Sequence, residues 1–189
     1  MSTSRTAYHH GDLAHALEAA AMRLLEDKPA QEISLREIAR SANVSHNAPY
    51  HHFADRQGLL KVLAERSMAD LVSAVRSAIA DAGDPVSALI AGGGAYIRYA
   101  VQNPNGFDVV YDPTVCLPGA PTATMAPLIA ELEESLGAAA VAAGLAKETD
   151  VLALWGLIHG LGTLCAAGHF DLDSALAAED AAIRRMLPT

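Results

Sequence analysis

Ser34-Leu35-Arg36-Glu37-Ile38-Ala39-Arg40-Ser41-Ala42-Asn43-Val44-Ser45-His46-Asn47-Ala48-Pro49-Tyr50-His51-His52-Phe53 is the stretch that decides how this 189-residue chain is read. Ser34 followed three residues later by Glu37 is a capping box, in which the hydroxyl accepts from the Glu37 amide and the carboxylate reaches back. It opens a short helix carrying Leu35, Ile38 and Ala39 inward. That helix stops near Asn43, where a sharp turn suits a left-handed residue and Asn is the second choice after Gly. Ser45 is expected to cap a second short helix, running through Tyr50 to about His52. Ile38, Ala39, Val44 and Tyr50 have the spacing to hold the two helices together. A capped helix, a tight turn and a second helix make a helix-turn-helix. In this motif the N-terminal end of the second helix, here Ser45-His46-Asn47, enters a major groove. Pro49 falls about four residues into that helix, where it removes a backbone donor and crowds the Ser45 carbonyl.

Outward from this element the pattern stays helical. Leu13, Ala16, Leu17, Ala20, Ala21, Leu24 and Leu25 form one stripe before Pro29. Asp55 caps a longer helix carrying Leu59, Leu60, Leu63, Met68, Leu71, Val75 and Ile79. Asp84-Pro85 and Asn103-Pro104 each place an N-cap before a Pro at the first helical position. Tyr111 to Pro127 holds Pro113, Pro118, Pro121 and Pro127, so a loop is expected there. Helical spacing returns from about Met125 to Ala143, Val151 to Ala167 and Asp173 to Leu187. No alternating run of β-branched residues bounded by Asn-Gly or Asp-Gly signals a strand. The expectation is an all-α chain of about nine helices: an N-terminal three-helix helix-turn-helix unit, then a C-terminal helical bundle.

Composition narrows the class. Hydrophobic residues make up 51% and charged residues 19%, enough for a sizeable core and too apolar for a disordered chain. The net charge of −9 is unevenly spread. Residues 1–70 carry eight Lys/Arg against nine Asp/Glu and six of the eight histidines, while the remainder is strongly acidic. A whole-chain charge therefore says little about any one face. Continuous apolar stretches such as Val151 to Ile158 fall short of the ~20 residues that cross a bilayer. The first residues lack the apolar core of a secretory signal, so a cytoplasmic protein without a membrane partner is expected. Cys116 and Cys165 make neither a disulfide framework nor a metal pair. No nucleophile elbow, P-loop or dinucleotide fingerprint is present, and Gly92-Gly93-Gly94 lacks a preceding strand, so no cofactor and no enzyme activity is expected. The three glycines are better explained as a helix weak point or a close helix crossing.

The residues Ser34 to Ala39, Asn43-Val44-Ser45, and Tyr50-His51-His52-Phe53-Ala54-Asp55-Arg56-Gln57-Gly58-Leu59-Leu60 resemble the DNA-binding domain of TetR/AcrR-type transcriptional regulators. The resemblance covers residues 8 to about 66, and Trp155-Gly156-Leu157-Ile158-His159-Gly160 resembles the Trp-x-x-x-His-Gly signature of one C-terminal domain type in that family. It implies a DNA-binding domain over residues 1–54, a connecting helix over 55–80, and an effector-binding and dimerisation domain over 81–189. It further implies that Ser34, Ser45, His46, Asn47, Tyr50, His51 and Arg56 face DNA, with Asn47 suited to adenine and the Tyr50 and His51 side chains to phosphates. Arg5 would reach a minor groove from the N-terminal arm. Tyr96, Phe107, Tyr111, Met125, Trp155 and His159 would line a pocket for a small-molecule effector. The helix carrying Gly156, Gly160 and Gly162, with Leu176, Ala177, Ile183, Met186 and Leu187 from the last helix, would pair two subunits. The implied function is a homodimeric, ligand-responsive repressor of a double-stranded DNA operator.

Two other readings compete. His9-His10 with His46, His51 and His52 would suit a transition metal, as in a metal-dependent enzyme, although no Cys or HExxH spacing supports the ligand set. Alternatively the front half is a helical docking module that binds no DNA.

Overall fold

The computed structural model describes residues 4–188, with side chains from residue 13 onward; the readings on the side chains of Arg5, His9 and His10 lie outside the described residues. Nine α-helices and one 3₁₀ turn account for the described secondary structure, with no strand among those residues. In order they are α1 (Ser4–Asp27), the 3₁₀ turn (Ala30–Glu32), α2 (Leu35–Ser41), α3 (Ala48–His52), α4 (Arg56–Ala80), α5 (Pro85–Gln102), α6 (Pro104–Tyr111), α7 (Met125–Ala142), α8 (Glu148–Ala166) and α9 (Leu172–Met186).

The caps follow the sequence closely. Ser34 and Glu37 form the full reciprocal box at the start of α2. Asp55 accepts from Gly58 N at 2.7 Å to open α4, and Asp84 accepts from Val86 N and Ser87 N, both at 3.0 Å, to open α5. Asn43 sits at φ 54, the left-handed conformation that lets α2 turn sharply. Asn103 departs from expectation: its side chain caps nothing on α6 and instead donates to the Tyr99 carbonyl at 3.4 Å, closing the end of α5.

α4 is the shared element. Leu59, Leu60, Leu63, Ala64, Met68, Leu71, Val72 and Val75 are all buried, because α1 lies against one part of this helix and α5, α6 and α7 against the rest. One hydrophobic cluster accordingly runs from Leu17 in α1 to Ile183 in α9. α8 is long and apolar enough to cross a membrane by length and composition. Here it buries Leu154, Ile158, Gly162 and Cys165, and leaves Leu152 and Leu164 exposed.

α5 crosses its neighbours at the three glycines. A Cβ on Gly92 would stand 2.8 Å from Ile79 Cγ1, and one on Gly93 would collide with Glu179 Oε1. Glu179, on α9, is 1% exposed, and its Oε1 has no hydrogen-bond partner. Burial, reinforced by Asp180 and opposed by the exposed Arg98, pushes its carboxyl up to about 8 from an ordinary value of 4.5. The folded chain therefore holds a proton there that the unfolded chain has released. Stability falls as pH rises from 4.5 to about 8 and is level beyond. Glu179→Gln keeps the shape and removes the titration. In urea unfolding the variant should gain on the parent steadily over that interval, by on the order of 4 kcal/mol at its top; a difference that does not change with pH would contradict the buried, protonated carboxyl.

Candidate functional site

α2, the turn at Asn43 and α3 build an exposed, polar surface. α3 begins at Ala48, two residues later than a Ser45 cap implies, and Asn47 occupies its cap position without a side-chain hydrogen bond. Pro49 explains the shift. It is tolerated in a first helical turn, where its missing N–H has no intrahelical partner, and excluded deeper in. Starting at Ala48 puts Pro49 in that first turn, and its ring is buried. Tyr50, expected to hold the two helices together, is 53% exposed; Pro49 and Phe53 fill the interior instead.

Ser45, His46, Asn47 and His51 are all exposed on the turn and the short helix. Tyr50, Arg56 and Ser34 converge on a shallow groove of about 500 Å³ between the starts of α2 and α4, together with Arg36. The sequence reading missed Arg36. Its signal was its place in the first turn of a capped helix beside the turn. Ser34 Oγ spends its proton on Glu37 Oε2 at 2.8 Å, and Arg56 donates to the Gln31 carbonyl, tying α4 to the 3₁₀ turn. Among the described residues no three His, Cys, Asp or Glu side chains come together as a metal site. His52 faces Glu18 at 3.1 Å instead.

A second feature lies among α6, α7, α8 and the loop between α6 and α7. It is a cavity of about 610 Å³ walled by Tyr111, Met125, Leu132, Trp155, His159 and the loop from Cys116 to Pro121. Tyr96 and Phe107 do not line it; both are buried one layer behind. Tyr96 Oη is hydrogen-bonded to His159 Nδ1 at 2.8 Å and to Tyr111 Oη at 2.5 Å. Phe107 packs edge-on to Tyr96 at 5.6 Å. Burial holds the Tyr96 and Tyr111 hydroxyls above the usual phenol range and His159 below the usual imidazole value, so all three are neutral near pH 7. Burial, with Glu65 and Asp112 nearby, also raises the Cys116 thiol, which leaves it protonated.

The loop also reaches the helix-turn-helix side. Gln31 donates to Asp112 Oδ2 at 2.8 Å, Gln57 to the Thr114 carbonyl at 2.7 Å, and Thr122 to Glu65. Asn105, on α6, donates to the Leu25 carbonyl at 2.9 Å. These four contacts link the surroundings of the cavity to α1, the 3₁₀ turn and α4. A separate depression of about 480 Å³ at the α1–α4 seam is lined by Glu18, Arg66 and Asp70 among others. Arg66 and Glu18 already pair with each other there, so the apolar cavity is the better ligand site.

Residues 17–63 match the family described as bacterial regulatory proteins, tetR family, and residues 89–189 match the tetracyclin repressor-like C-terminal domain. A protein of unknown function from Rhodococcus sp. RHA1 is 31% identical, with 96% of this chain and 98% of that one covered and a TM-score of 0.78. The TetR family transcriptional regulator PfmR from Thermus thermophilus is 26% identical, with 91% and 96% covered and a TM-score of 0.60. AibR, solved in complex with isovaleryl coenzyme A and operator DNA, shares the fold at 18% identity, 90% and 97% coverage and a TM-score of 0.62. No curated protein matches the chain.

Tyr96 is the keystone of the buried polar chain, since its hydroxyl alone satisfies His159 Nδ1. Tyr96→Phe leaves that nitrogen and the Tyr111 hydroxyl without their buried partner. The variant is expected to lose about 1–3 kcal/mol in urea unfolding, and a loss no larger than that of a surface substitution would show that the hydroxyl is dispensable.

Proposed function

This chain belongs to the TetR family of DNA-binding transcriptional regulators, which are not enzymes, and on that premise we propose that it is a homodimeric repressor released from its operator by a small molecule. Residues 1–54 supply the DNA-binding unit, 55–80 the connecting helix, and 81–189 the effector and pairing surfaces. The exposed Ser45, His46 and Asn47 enter the major groove. Asn47 makes the base contact, and Tyr50, His51 and Arg56 position the protein on the phosphates beside Arg36, while Ser34, whose hydroxyl proton is committed to Glu37, only borders that groove. α3 has five residues, which reach few bases, and a second copy on the next half-site would double the contacts.

Pairing is supported by the outer face of α8. Leu152, Gly156, Gly160 and Leu164 recur every four residues along one stripe. Leu152 and Leu164 are 71% and 41% exposed, and nothing lies within 4 Å of a Cβ placed on Gly156 or Gly160. Such a face lets a partner helix approach closely over apolar surface. Gly162 and Ile183 are not available to it, since both are buried within the subunit.

The observation that carries release is the double attachment of the loop between α6 and α7. Its middle walls the cavity, while Asp112, Thr114 and Thr122 hydrogen-bond to residues flanking the helix-turn-helix. A molecule that fits the cavity better when the loop has moved favours the conformer with shifted heads, and only that differential affinity lowers operator occupancy.

A gel shift on DNA flanking the gene tests the whole proposal. A retarded band that resists non-specific competitor is expected, and no shift with any flanking DNA at low salt would refute it. On such a site Asn47→Ala should lose about 1–3 kcal/mol while non-specific affinity is unchanged; equal losses on both would rule out the base contact. Leu164→Glu should sediment as a folded monomer with specific binding abolished, and a dimer that survives it would place the interface elsewhere.

A further inference from the structure

The polar chain behind the cavity has two ends and one spare proton. Tyr96 Oη is bonded on one side to His159 Nδ1 and on the other to Tyr111 Oη. A phenol hydroxyl donates once, and a neutral imidazole carries one N–H. With the proton of His159 on Nε2, Nδ1 accepts from Tyr96 and Tyr96 accepts from Tyr111. The cavity then meets an N–H donor at His159 and lone pairs at Tyr111. With the proton on Nδ1, every bond reverses, and the cavity meets an acceptor at His159 and an O–H donor at Tyr111. In both arrangements one end donates and the other accepts.

The rest of the lining fixes the charge of what can enter. Glu133 is the only charged residue among the cavity residues, and it is exposed. Among the described residues no Lys or Arg lines the space, so an anion would be stripped of water without a counter-charge. The walls are otherwise aliphatic, thioether and aromatic, and a volume of about 610 Å³ lies within the usual range for small-molecule sites.

Resting on the effector site proposed above, we infer that the cavity selects an uncharged, mainly apolar molecule carrying one group that both donates and accepts a hydrogen bond, of which a phenol is the simplest, read by Tyr111 Oη and His159 Nε2. The two-way chain lets the protein match either orientation of that group. A hydrocarbon of the same shape fills the walls and leaves both ends of the chain unmatched. An ether answers only the donor end.

Trp155 is the single tryptophan of the chain and stands in the cavity wall, so its emission reports occupancy directly. Full-length protein is titrated with para-butylphenol, para-butylanisole, butylbenzene, para-butylbenzoate and para-butylbenzylammonium. The phenol should bind about tenfold more tightly than the anisole or the hydrocarbon, and both ions more weakly still. Tyr111→Phe should remove most of the phenol's advantage without changing butylbenzene affinity, which also shows that the variant is folded; the comparison of probes on the parent protein stands without it. Tightest binding by the benzoate or the ammonium, or equal binding of phenol and hydrocarbon, overturns the inference and leaves the cavity standing as a ligand site. If no probe alters Trp155 emission, both the inference and the effector-site proposal fall.

Discussion

The loop from Asp112 to Thr124 has to satisfy two sets of neighbours at once, and much of the molecule is arranged around that constraint. Its first turn is fixed from within, since Asp112 Oδ1 accepts from Thr114 N at 2.8 Å and from the Thr114 hydroxyl. Val115 is buried and anchors the loop to the core. Gln31 and Gln57 then hold it from the helix-turn-helix side, while Leu117, Pro118 and Pro121 close the cavity. Pro113, Pro118 and Pro121 each fix a φ angle and narrow what the unfolded loop can sample. A long loop without secondary structure is uncommon inside a compact fold and is most often functional. Here its attachments make the state of the cavity and the position of α4 parts of the same packing problem.

α5 is the second half of that problem. Tyr96 and Tyr99 lie three residues apart, on the same side of the helix. The Tyr96 hydroxyl belongs to the polar chain at the cavity, and Tyr99 Oη donates to the Ser67 carbonyl of α4 at 2.8 Å. Less than one turn of helix therefore separates a group behind the cavity wall from a contact on α4. About one turn earlier and on much the same side, Gly92 and Gly93 let α5 sink against Ile79 of α4, Ile158 of α8 and Glu179 of α9.

What the sequence made legible was local. A capping box, a left-handed Asn and two Asp caps each need only three or four neighbouring residues, and each is present in the fold. The all-α architecture followed from them and from apolar spacing. The start of α3 is misplaced on sequence because Ser45 looks like a cap, whereas Pro49 fixes the first turn. Spacing alone puts Tyr50 in the interior, because it cannot distinguish a five-residue helix's inner face from its outer one. Of the candidate pocket residues, Tyr111, Met125, Trp155 and His159 meet at one cavity. Tyr96 and Phe107 sit behind them, a distinction that depends on how α5 and α6 are layered. Invisible altogether were Gln31 with Asp112 and Gln57 with Thr114, pairs 81 and 57 residues apart in the chain. No periodicity marks such contacts.

The charge distribution bears on how this surface can recognise DNA. Several cations in the first 70 residues are already committed inside the protein. Lys28 meets Glu37 at 2.6 Å, and that contact with those from Ser34 holds the Glu37 carboxyl down to about 2. Arg66 pairs with Glu18, which also accepts His52. That leaves Arg36, Arg40 and Arg56 as exposed guanidinium groups on or beside α2 and α3. The whole chain carries a net charge of −9, most of it beyond residue 70, and that part repels a polyanion. Few phosphate contacts mean a shallow salt dependence and weak non-specific binding. In the dimer proposed above, operator occupancy would rest on the base contacts of the turn and on the doubling that a second copy supplies, the two terms that a change in head spacing would remove together.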